Sequence, residues 1–431
     1  MSDPLKIGIA GLGTVGAGVL RLLQRHGGLL AERSGREIKV VAVSARDRQK
    51  ERDVDLGTIR WHADPLALAD DPAVEVVVEL IGGGDGVAKA LCEKAIAAGK
   101  SVITANKALL ALHGTGLARA AESRGLSLAC EAAVAGGIPI VKALREGLAG
   151  NAISRVFGIL NGTCNYILTQ MQESGRDFAA VLQEAQGLGY AEADPSFDVD
   201  GVDAAHKLAI LTSIAFNCAV DFEAVHVEGI RHVTDHDIAF ARELGYRIKL
   251  LASARTTPHG VEQRVHPCMI DADSAIAHVD GAFNAVVVEG DFVDRAMFVG
   301  RGAGAGPTAS AVVADLMDVA SGRRIPTFGV AAAKLKQAPR SPMERHVGPY
   351  YVRLMVYDRP GVIADVAAVL RDEQISIESL LQHGRAAAGE AVPVVMTTHE
   401  AEESAMVRAF RRIGSLSTVI ELPRLIRIEQ L

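Results

Sequence analysis

The stretch Lys6-Ile7-Gly8-Ile9-Ala10-Gly11-Leu12-Gly13-Thr14-Val15-Gly16 decides how this chain folds. It begins as an apolar strand, and a helical pattern over Val15–Arg25 follows directly. Between them lie three glycines with the spacing GxGxxG, which permit a tight turn, a close approach of the backbone to a ligand and close packing of the helix on the strand. The stretch therefore predicts the first strand and helix of a parallel sheet, with a pyrophosphate-binding turn between them.

The same alternation of strands and helices continues through the first third of the chain. Alternation of this kind predicts βαβ units, and hence an α/β domain with a Rossmann-type parallel sheet over residues 1–134. A second helix is expected at Val87–Ala98. The further strand candidates are Lys39–Ser44, Val74–Leu80, Ser101–Thr104 and Leu126–Glu131.

Residues 135–305 have a different pattern, in which long helical segments precede short strand-like pieces. This pattern predicts a separate α+β domain. A helix at Ala309–Ala320 follows, and we expect the stretch 306–325 to pack back against the first domain. The expected helices of the second domain are Phe178–Gln186 and Val202–Asn217, and its strands include Val261–Pro267 and Ala285–Glu289.

A linker rich in Pro, Arg and Lys is expected at residues 334–349, before a third unit at 350–431. The elements of this unit follow the order βαββαβ, which predicts a ferredoxin-like domain. They are the strands Tyr351–Tyr357, Ser376–Gln382, Ala391–Thr398 and Thr418–Arg427, and the helices Val362–Glu373 and Ala401–Ile413.

Composition narrows the class of protein. The 431 residues exceed one ordinary core, so two or three domains are expected. A formal net charge of −7 argues against a nucleic-acid or anionic-membrane partner, which needs a basic surface. No secretory leader pattern, long apolar segment or CxxC pair is visible. We therefore expect reduced thiols and a cytoplasmic location.

The end of the second strand bears on the choice of nucleotide. An NAD-binding chain usually places an acid there for the ribose hydroxyl. This chain has Ser44-Ala45-Arg46-Asp47-Arg48, in which a hydroxyl and two arginines favour the 2′-phosphate of NADP. NAD stays open because Asp47 is an acid in the same loop, and both arginines also fit a solvated surface.

Two further segments carry chemistry. Lys107 lies in Thr104–Lys107, at the carboxyl end of a strand, where parallel sheets bind ligands. The acidic segment Gly189–Lys207 ends in Asp203 and Lys207, which share one helix face. Their helix is otherwise apolar, so the pair either lines a pocket or is an ordinary surface ion pair.

Six motifs together resemble the homoserine dehydrogenase family over nearly the whole chain before the linker. The resemblance implies an NAD(P)-dependent interconversion of L-homoserine and L-aspartate 4-semialdehyde, in threonine, methionine and isoleucine biosynthesis. It also implies a substrate domain that dimerises, giving a homodimer or homotetramer. The motifs are GLGTVG at Gly11–Gly16, TANKALLA at Thr104–Ala111, EAAVAGGIP at Glu131–Pro139, NGTCNYIL at Asn161–Leu168, LGYAEADPSFDVDGVDAAHKLAIL at Leu188–Leu211 and GRGAGAGPTASAVVAD at Gly300–Asp315.

The resemblance also implies residue roles. Lys207 matches the proton donor to the carbonyl oxygen, and Lys107 matches a second lysine of the active site. Glu192 and Asp203 match acids that bind the substrate amino group, and Asp198 matches another acid of that loop. Together with the glycine turn and the second-strand loop, the expected cofactor contacts are Gly11, Gly13, Thr14, Val15, Gly16, Arg46, Thr104, Lys107, Gly189 and Gly304. The sodium ligands that the resemblance implies are Glu131, Val134, Gly136 and Ile138.

The turn Tyr357–Ile363 resembles the ligand-binding turn of ACT domains, with Asp358, Gly361 and Ile363 as the expected effector contacts. By this resemblance the effector is threonine, acting as a feedback inhibitor. An ACT domain that binds nothing is the alternative. Two other functions are disfavoured. A reductase of another semialdehyde or hydroxy acid would lack the acidic loop and lysine of Glu192–Lys207 together, and a non-catalytic amino-acid sensor would have lost Lys107 and Lys207.

Overall fold

A computed structural model of the chain describes residues 3–383 and 391–431. They form one parallel sheet with flanking helices and one larger mixed sheet, together with a two-stranded pair. Within the described ranges, no helix is both long and apolar enough to cross a lipid bilayer.

The N-terminal sheet has six strands in the order β3-β2-β1-β4-β5-β6, and every neighbouring pair is parallel. The predicted Rossmann-type domain is therefore confirmed. Its order reverses between β1 and β4, which places the ligand crevice at the carboxyl ends of these strands. The elements are β1 Leu5–Ala10, α1 Thr14–Ser34, β2 Ile38–Ser44, β3 Arg60–His62, α2 Ala67–Asp70, β4 Val76–Glu79, α3 Val87–Ala97, β5 Ser101–Thr104, α4 Lys107–Glu122 and β6 Leu128–Ala129.

The second sheet begins with antiparallel strands that support the buried helix α9. The last helix of this part, α11, packs against α1 of the first domain. A methyl group at Gly18 would meet the carbonyl oxygen of Ala305, so the two helices approach closely there. The elements are α5 Ile140–Lys142, β7 Ile153–Ile159, α6 Gly162–Ser174, α7 Phe178–Gly187, α8 Ser196–Val199, α9 Val202–Phe216, β8 Val225–Val227, α10 Asp235–Glu243, β9 Tyr246–Thr257, β10 Gly260–Asp271, β11 Phe283–Gly290, β12 Asp294–Arg301 and α11 Ala305–Ala320.

The C-terminal part has the order βαββαβ with its four strands arranged β18-β14-β16-β15, so the ferredoxin-like prediction is confirmed. Two expected bounds were wrong. The last strand begins at Arg424 rather than Thr418, because Pro423 has no N–H group for a ladder. The last helix begins at Glu403, because Ala401–Glu402 pairs with β13. The elements are β13 Val347–Gly348, β14 Tyr350–Tyr357, α12 Val362–Asp372, β15 Ile377–Gln382, β16 Ala391–Thr398, β17 Ala401–Glu402, α13 Glu403–Gly414 and β18 Arg424–Glu429.

The second and third parts share one sheet. Strand β18 pairs in parallel with β10, so the C-terminal strands continue the sheet of the substrate part to ten strands. The stretch 334–349 also packs closely, since the amide of Val261 donates to the carbonyl of Pro339 at 2.8 Å and Arg340 binds Asp221. The C-terminal domain is thus built onto the rest of the chain through main-chain hydrogen bonds.

Candidate active site

One carboxylate binds two lysines at the centre of the site. Asp203 Oδ2 accepts a hydrogen bond from Lys207 Nζ at 2.7 Å, and Asp203 Oδ1 lies 2.8 Å from Lys107 Nζ. Lys207 also donates to the carbonyl oxygen of Leu160 at 2.7 Å. A lysine ammonium has three N–H groups, so one donor of Lys207 is left for a substrate oxygen.

The helix that carries this pair is buried on almost every side. Asp203 is only 3% exposed and Lys207 only 8%. The alternative of an ordinary surface ion pair is therefore wrong. Lys107 reaches the same carboxylate from the start of α4, at the carboxyl edge of the parallel sheet. The cluster is therefore completed only where the N-terminal domain, through α4, meets the second domain, through α9.

Burial and charge act differently on the two lysines. Burial lowers the pKa of Lys207, against the attraction of Asp203, and the nearby Lys107 lowers it further. Burial also acts to lower the pKa of Lys107, but Asp203, Asp198 and Glu192 together raise it. The two lysines hold the pKa of Asp203 below its usual range despite burial. The site thus contains one lysine whose pKa favours proton transfer and one that stays charged.

Asn161 is a site residue that sequence reasoning missed. Its side-chain amide donates to Asp198 Oδ1 and to Asp203 Oδ2, both at 2.8 Å. Its oxygen accepts from the amide of Cys164 and caps α6. The sequence shows only a polar residue before a helix, which explains the cap but not the bridge between two acids. Burial and the neighbouring Asp203 raise the pKa of Asp198.

The predicted residues Gly189 and Glu192 lie in the exposed loop between α7 and α8. Within the described part of the chain, the carboxylate of Glu192 has no hydrogen bond, although its charge contributes to the raised pKa of Lys107. The structure therefore brings Lys107, Lys207, Asp198 and Asp203 together and leaves Glu192 at the rim.

The glycine-rich turn has the space that a pyrophosphate needs. A methyl group at Gly11 would overlap the carbonyl of Leu80, and one at Gly16 would overlap the carbonyl of Gly11. Gly13 instead faces open space, since a methyl group added there would have no atom within 4 Å. Thr14 and Val15 open α1 just beyond it, with Thr14 exposed. A nicotinamide dinucleotide fits this turn.

Positive side chains line the adjoining cleft of about 590 Å³ at the end of β2, where Arg46, Lys50 and Arg52 face the glycine turn. Arg52 Nε donates to the carbonyl of Leu12 at 3.0 Å and so fixes this loop on the turn. The carboxylate of Asp47 instead accepts from the amides of Gln49 and Lys50, at 2.8 and 3.2 Å. Asp47 therefore stabilises the backbone of its own loop.

Thr104 lies at the carboxyl end of β5, fully buried. Its hydroxyl donates to Glu79 Oε2 at 2.7 Å and accepts from the amide of Asn106 at 3.0 Å. Glu79 in turn accepts from the amides of Ile81 and Gly82. These bonds shape the loop between β4 and α3 and hold Lys107 in place, a role that the sequence alone did not indicate for Glu79.

The predicted cation ligands lie in a buried turn after β6. Glu131 uses its carboxylate to accept from the amides of Val141 and Lys142, and burial raises its pKa to about 7. The carbonyl of Ile138 accepts from Ile140. Among the described residues, no donor reaches the carbonyls of Val134 and Gly136. Buried carbonyl oxygens of this kind suit a small cation.

The remaining predicted residues lie at helix starts. Gly304 caps α11 next to the first turns of α1. Gly361 caps α12 with a φ of +98°, a conformation that favours glycine. Asp358 and Ile363 flank it, both partly buried. The turn thus places Asp358 shortly before the N-terminus of α12.

Three family models match successive parts of the chain. The model described as "Homoserine dehydrogenase, NAD binding domain" matches residues 11–131, and "Homoserine dehydrogenase" matches residues 139–317. The model described as "ACT domain" matches residues 350–415.

Similar whole proteins are also known. The homoserine dehydrogenase of Pseudomonas aeruginosa is 46% identical over 434 residues, with 99% of each chain covered. The crystal structure of a homoserine dehydrogenase from Thiobacillus denitrificans has a TM-score of 0.94 at 46% identity and covers 99% of this chain and 98% of its own. A hyperthermophilic archaeal homoserine dehydrogenase, solved in complex with NADPH, is 25% identical with a TM-score of 0.63 and covers 73% of this chain and 97% of its own.

Proposed function

This chain belongs to the homoserine dehydrogenase family and is an NAD(P)-dependent oxidoreductase, and from this premise we propose how its residues carry out and regulate the reaction. The bridge that Asp203 makes between Lys107 and Lys207 carries the proposal. This bridge holds two lysines with different pKa values beside the carboxylates that are proposed to bind the substrate.

Lys207 transfers the proton. A reduced nicotinamide, when bound, would supply hydride to the carbonyl carbon of aspartate semialdehyde, and negative charge would develop on the carbonyl oxygen. The third N–H of Lys207 protonates that oxygen, and the return direction takes the proton back from homoserine. Burial supports this role because it lowers the pKa of Lys207 towards the working range of an acid–base group.

Lys107, Asp198, Asp203 and Glu192 bind and orient the substrate. A substrate ammonium needs acceptors in a buried site, and the carboxylates supply them. Lys107 keeps its charge because its pKa is raised, so it stabilises negative charge on the reacting oxygen or the substrate carboxylate. Asn161 orients Asp198 and Asp203 through its two hydrogen bonds.

The preferred nucleotide is NADP. Arg46, Lys50 and Arg52 surround the end of β2, where the 2′-phosphate of the adenosine ribose would lie. Asp47, the acid of this loop that would favour NAD, is bound to amides of its own loop. The archaeal relative solved with NADPH agrees with this choice. We expect NAD to serve less well.

A sodium ion and an amino-acid effector complete the proposal. The carbonyls of Val134 and Gly136 would bind sodium, with Glu131 and Ile138 beside them. Threonine would bind at Asp358, Gly361 and Ile363 and inhibit the enzyme, which acts as a homodimer or homotetramer in threonine, methionine and isoleucine biosynthesis. The N–H groups at the start of α12 suit the effector carboxylate.

The first experiment follows homoserine-dependent reduction of NADP and of NAD by absorbance, for the native chain and for Lys207→Met. We expect turnover that is faster with NADP and that falls by about 10²- to 10⁴-fold in the variant. Binding of NADP to the variant is the control for folding. Native rates in Lys207→Met would contradict the proton-transfer role, and equal efficiency with both nucleotides would contradict the NADP preference.

A further inference from the structure

The segment Glu228–Arg231, here called the junction segment, lies between the C-terminal domain and the short helix α8, which contains Asp198. It follows β8 and precedes α10, and the amide of Glu228 donates to the carbonyl of Val265 at 2.7 Å. The segment therefore continues from the edge of the ten-stranded sheet. It contacts a different part of the molecule on each side.

On one side the junction segment binds the last strand of the C-terminal domain. Both carboxylate oxygens of Glu228 accept from the guanidinium of Arg427, at 2.9 and 3.0 Å. Arg427 is buried in β18 and also binds Glu403 of α13. A two-point contact of this kind fixes direction as well as distance.

On the other side the junction segment holds the backbone of α8. The amide of Ile230 donates to the carbonyl of Val199 at 2.8 Å. Gly229 lies so close to Val199 and Asp200 that a methyl group there would overlap their backbone. Asp198 directly precedes Val199, so a shift of the backbone at Asp198 would disturb these contacts.

Arg231 fixes both ends of the same short helix. Its guanidinium binds the carboxylate of Asp200, just after α8, and donates to Ser196 Oγ at 2.9 Å, at the first residue of α8. The side chain of Arg231 is 39% exposed and that of Asp200 is 42% exposed, so this ion pair adds little to stability. Its geometry is better explained by a positioning role.

We propose that Glu228 and Arg231 are positioning residues for Asp198, and that Glu228 makes this position depend on strand β18 of the C-terminal domain. The inference rests on the proposed role of Asp198 in binding the substrate. A change in β18 would then reach α8 and Asp198 through the contact of Arg427 with Glu228 and the backbone contact of Ile230 with Val199. The effect falls on substrate binding, because neither residue touches the reacting atoms.

The test compares Glu228→Gln and Arg231→Gln with Glu403→Gln, in the full chain. Glu228→Gln and Glu403→Gln each remove one carboxylate partner of Arg427, but only the first touches the junction segment. We expect KM for homoserine to rise by about fivefold in the first two variants, with kcat and KM for NADP nearly unchanged. Glu403→Gln should raise the KM for homoserine less than Glu228→Gln does, because Arg427 keeps its two-point contact with Glu228, and Arg231→Lys should recover part of the loss.

Native KM values in folded Glu228→Gln and Arg231→Gln would overturn the inference, as would an equal rise in Glu403→Gln. Thermal unfolding and NADP binding report folding, and Arg231→Gln, at a partly exposed side chain, provides the result if Glu228→Gln does not fold. Native enzyme that fails to oxidise homoserine would instead defeat the proposed function.

Discussion

At the scale of single residues, Asp203 explains how two lysines of one site differ. It binds both, yet Lys207 is buried on α9 while Lys107 also faces Asp198 and Glu192. Burial favours the neutral form of an amine, and carboxylates favour the charged form. The same carboxylate thus binds one lysine whose pKa is lowered, the proposed proton donor, and one whose pKa is raised.

This difference predicts the pH dependence of the reaction. Reduction of the semialdehyde needs protonated Lys207, so its rate should fall as pH rises through the pKa of Lys207. Oxidation of homoserine needs the neutral lysine, so its rate should rise over the same interval. Because burial lowers that pKa, the change in rate, here called the limb of the pH–rate profile, should lie below the ordinary lysine pKa of about 10.4. The measurement is kcat in both directions against pH.

Lys107→Met is the matched control for this limb. It removes a positive charge that lowers the pKa of Lys207, so the limb of the residual activity should move to higher pH. A limb that does not move would assign the titration to another group.

At the scale of elements, the effect of replacing a glycine of α1 by alanine depends on where that glycine lies. In Gly16→Ala the new methyl would overlap the carbonyl of Gly11, so we expect loss of NADP binding. Gly28 is exposed and lies in the same helical stretch, two residues after its kink at His26, and a methyl group added there would have no atom within 4 Å beyond the local helix backbone. Gly28→Ala should therefore keep binding and raise the free energy of unfolding by about 0.5–1 kcal/mol. Cofactor titration and chemical denaturation check both variants.

The sequence predicted elements correctly where the apolar periodicity was strong, and missed elements that form only because a neighbouring strand pairs with them. The apolar pattern of Val202–Asn217 gave α9 nearly to its ends. Strand β3 was missed, because the partly exposed residues Arg60–His62 become a strand only by pairing with β2. Part of the stretch Thr418–Leu422 does pair with β14, since Ile420 donates to the carbonyl of Met355, but Pro423 has no N–H group and separates this pairing from β18.

At the scale of the whole molecule, the C-terminal domain is joined to the substrate part by a shared sheet and not only by a linker. Its strand β18 covers the edge of β10, and Glu429 binds Arg155 and the buried Arg264. On the other face, Arg353 donates to Asp237 of α10 at 2.7 Å, and both are buried. Main-chain pairing and buried ion pairs thus connect it to the substrate part.

A chain that ends at Gly348 should therefore be less stable than the full chain. It would leave the edge of β10 open and several buried charges without partners, which favours unfolding and association between edges. A chain that ends at Gln430 keeps β18 and is the matched control. Thermal unfolding and light scattering provide the measurement, and an unchanged unfolding midpoint with a monodisperse product would contradict the prediction.

The sequence by itself determined the three fold classes, the glycine-rich turn and the segments that hold both lysines and the acids. These features are local, because periodicity and spacing along the chain reflect turns, helices and strands directly. Only the tertiary structure decided that Asp203 joins Lys107 to Lys207, that Asn161 bridges two acids and that β18 extends the sheet of another part. Such contacts join residues far apart in sequence, and their energies depend on burial and neighbouring charge, which no local pattern contains.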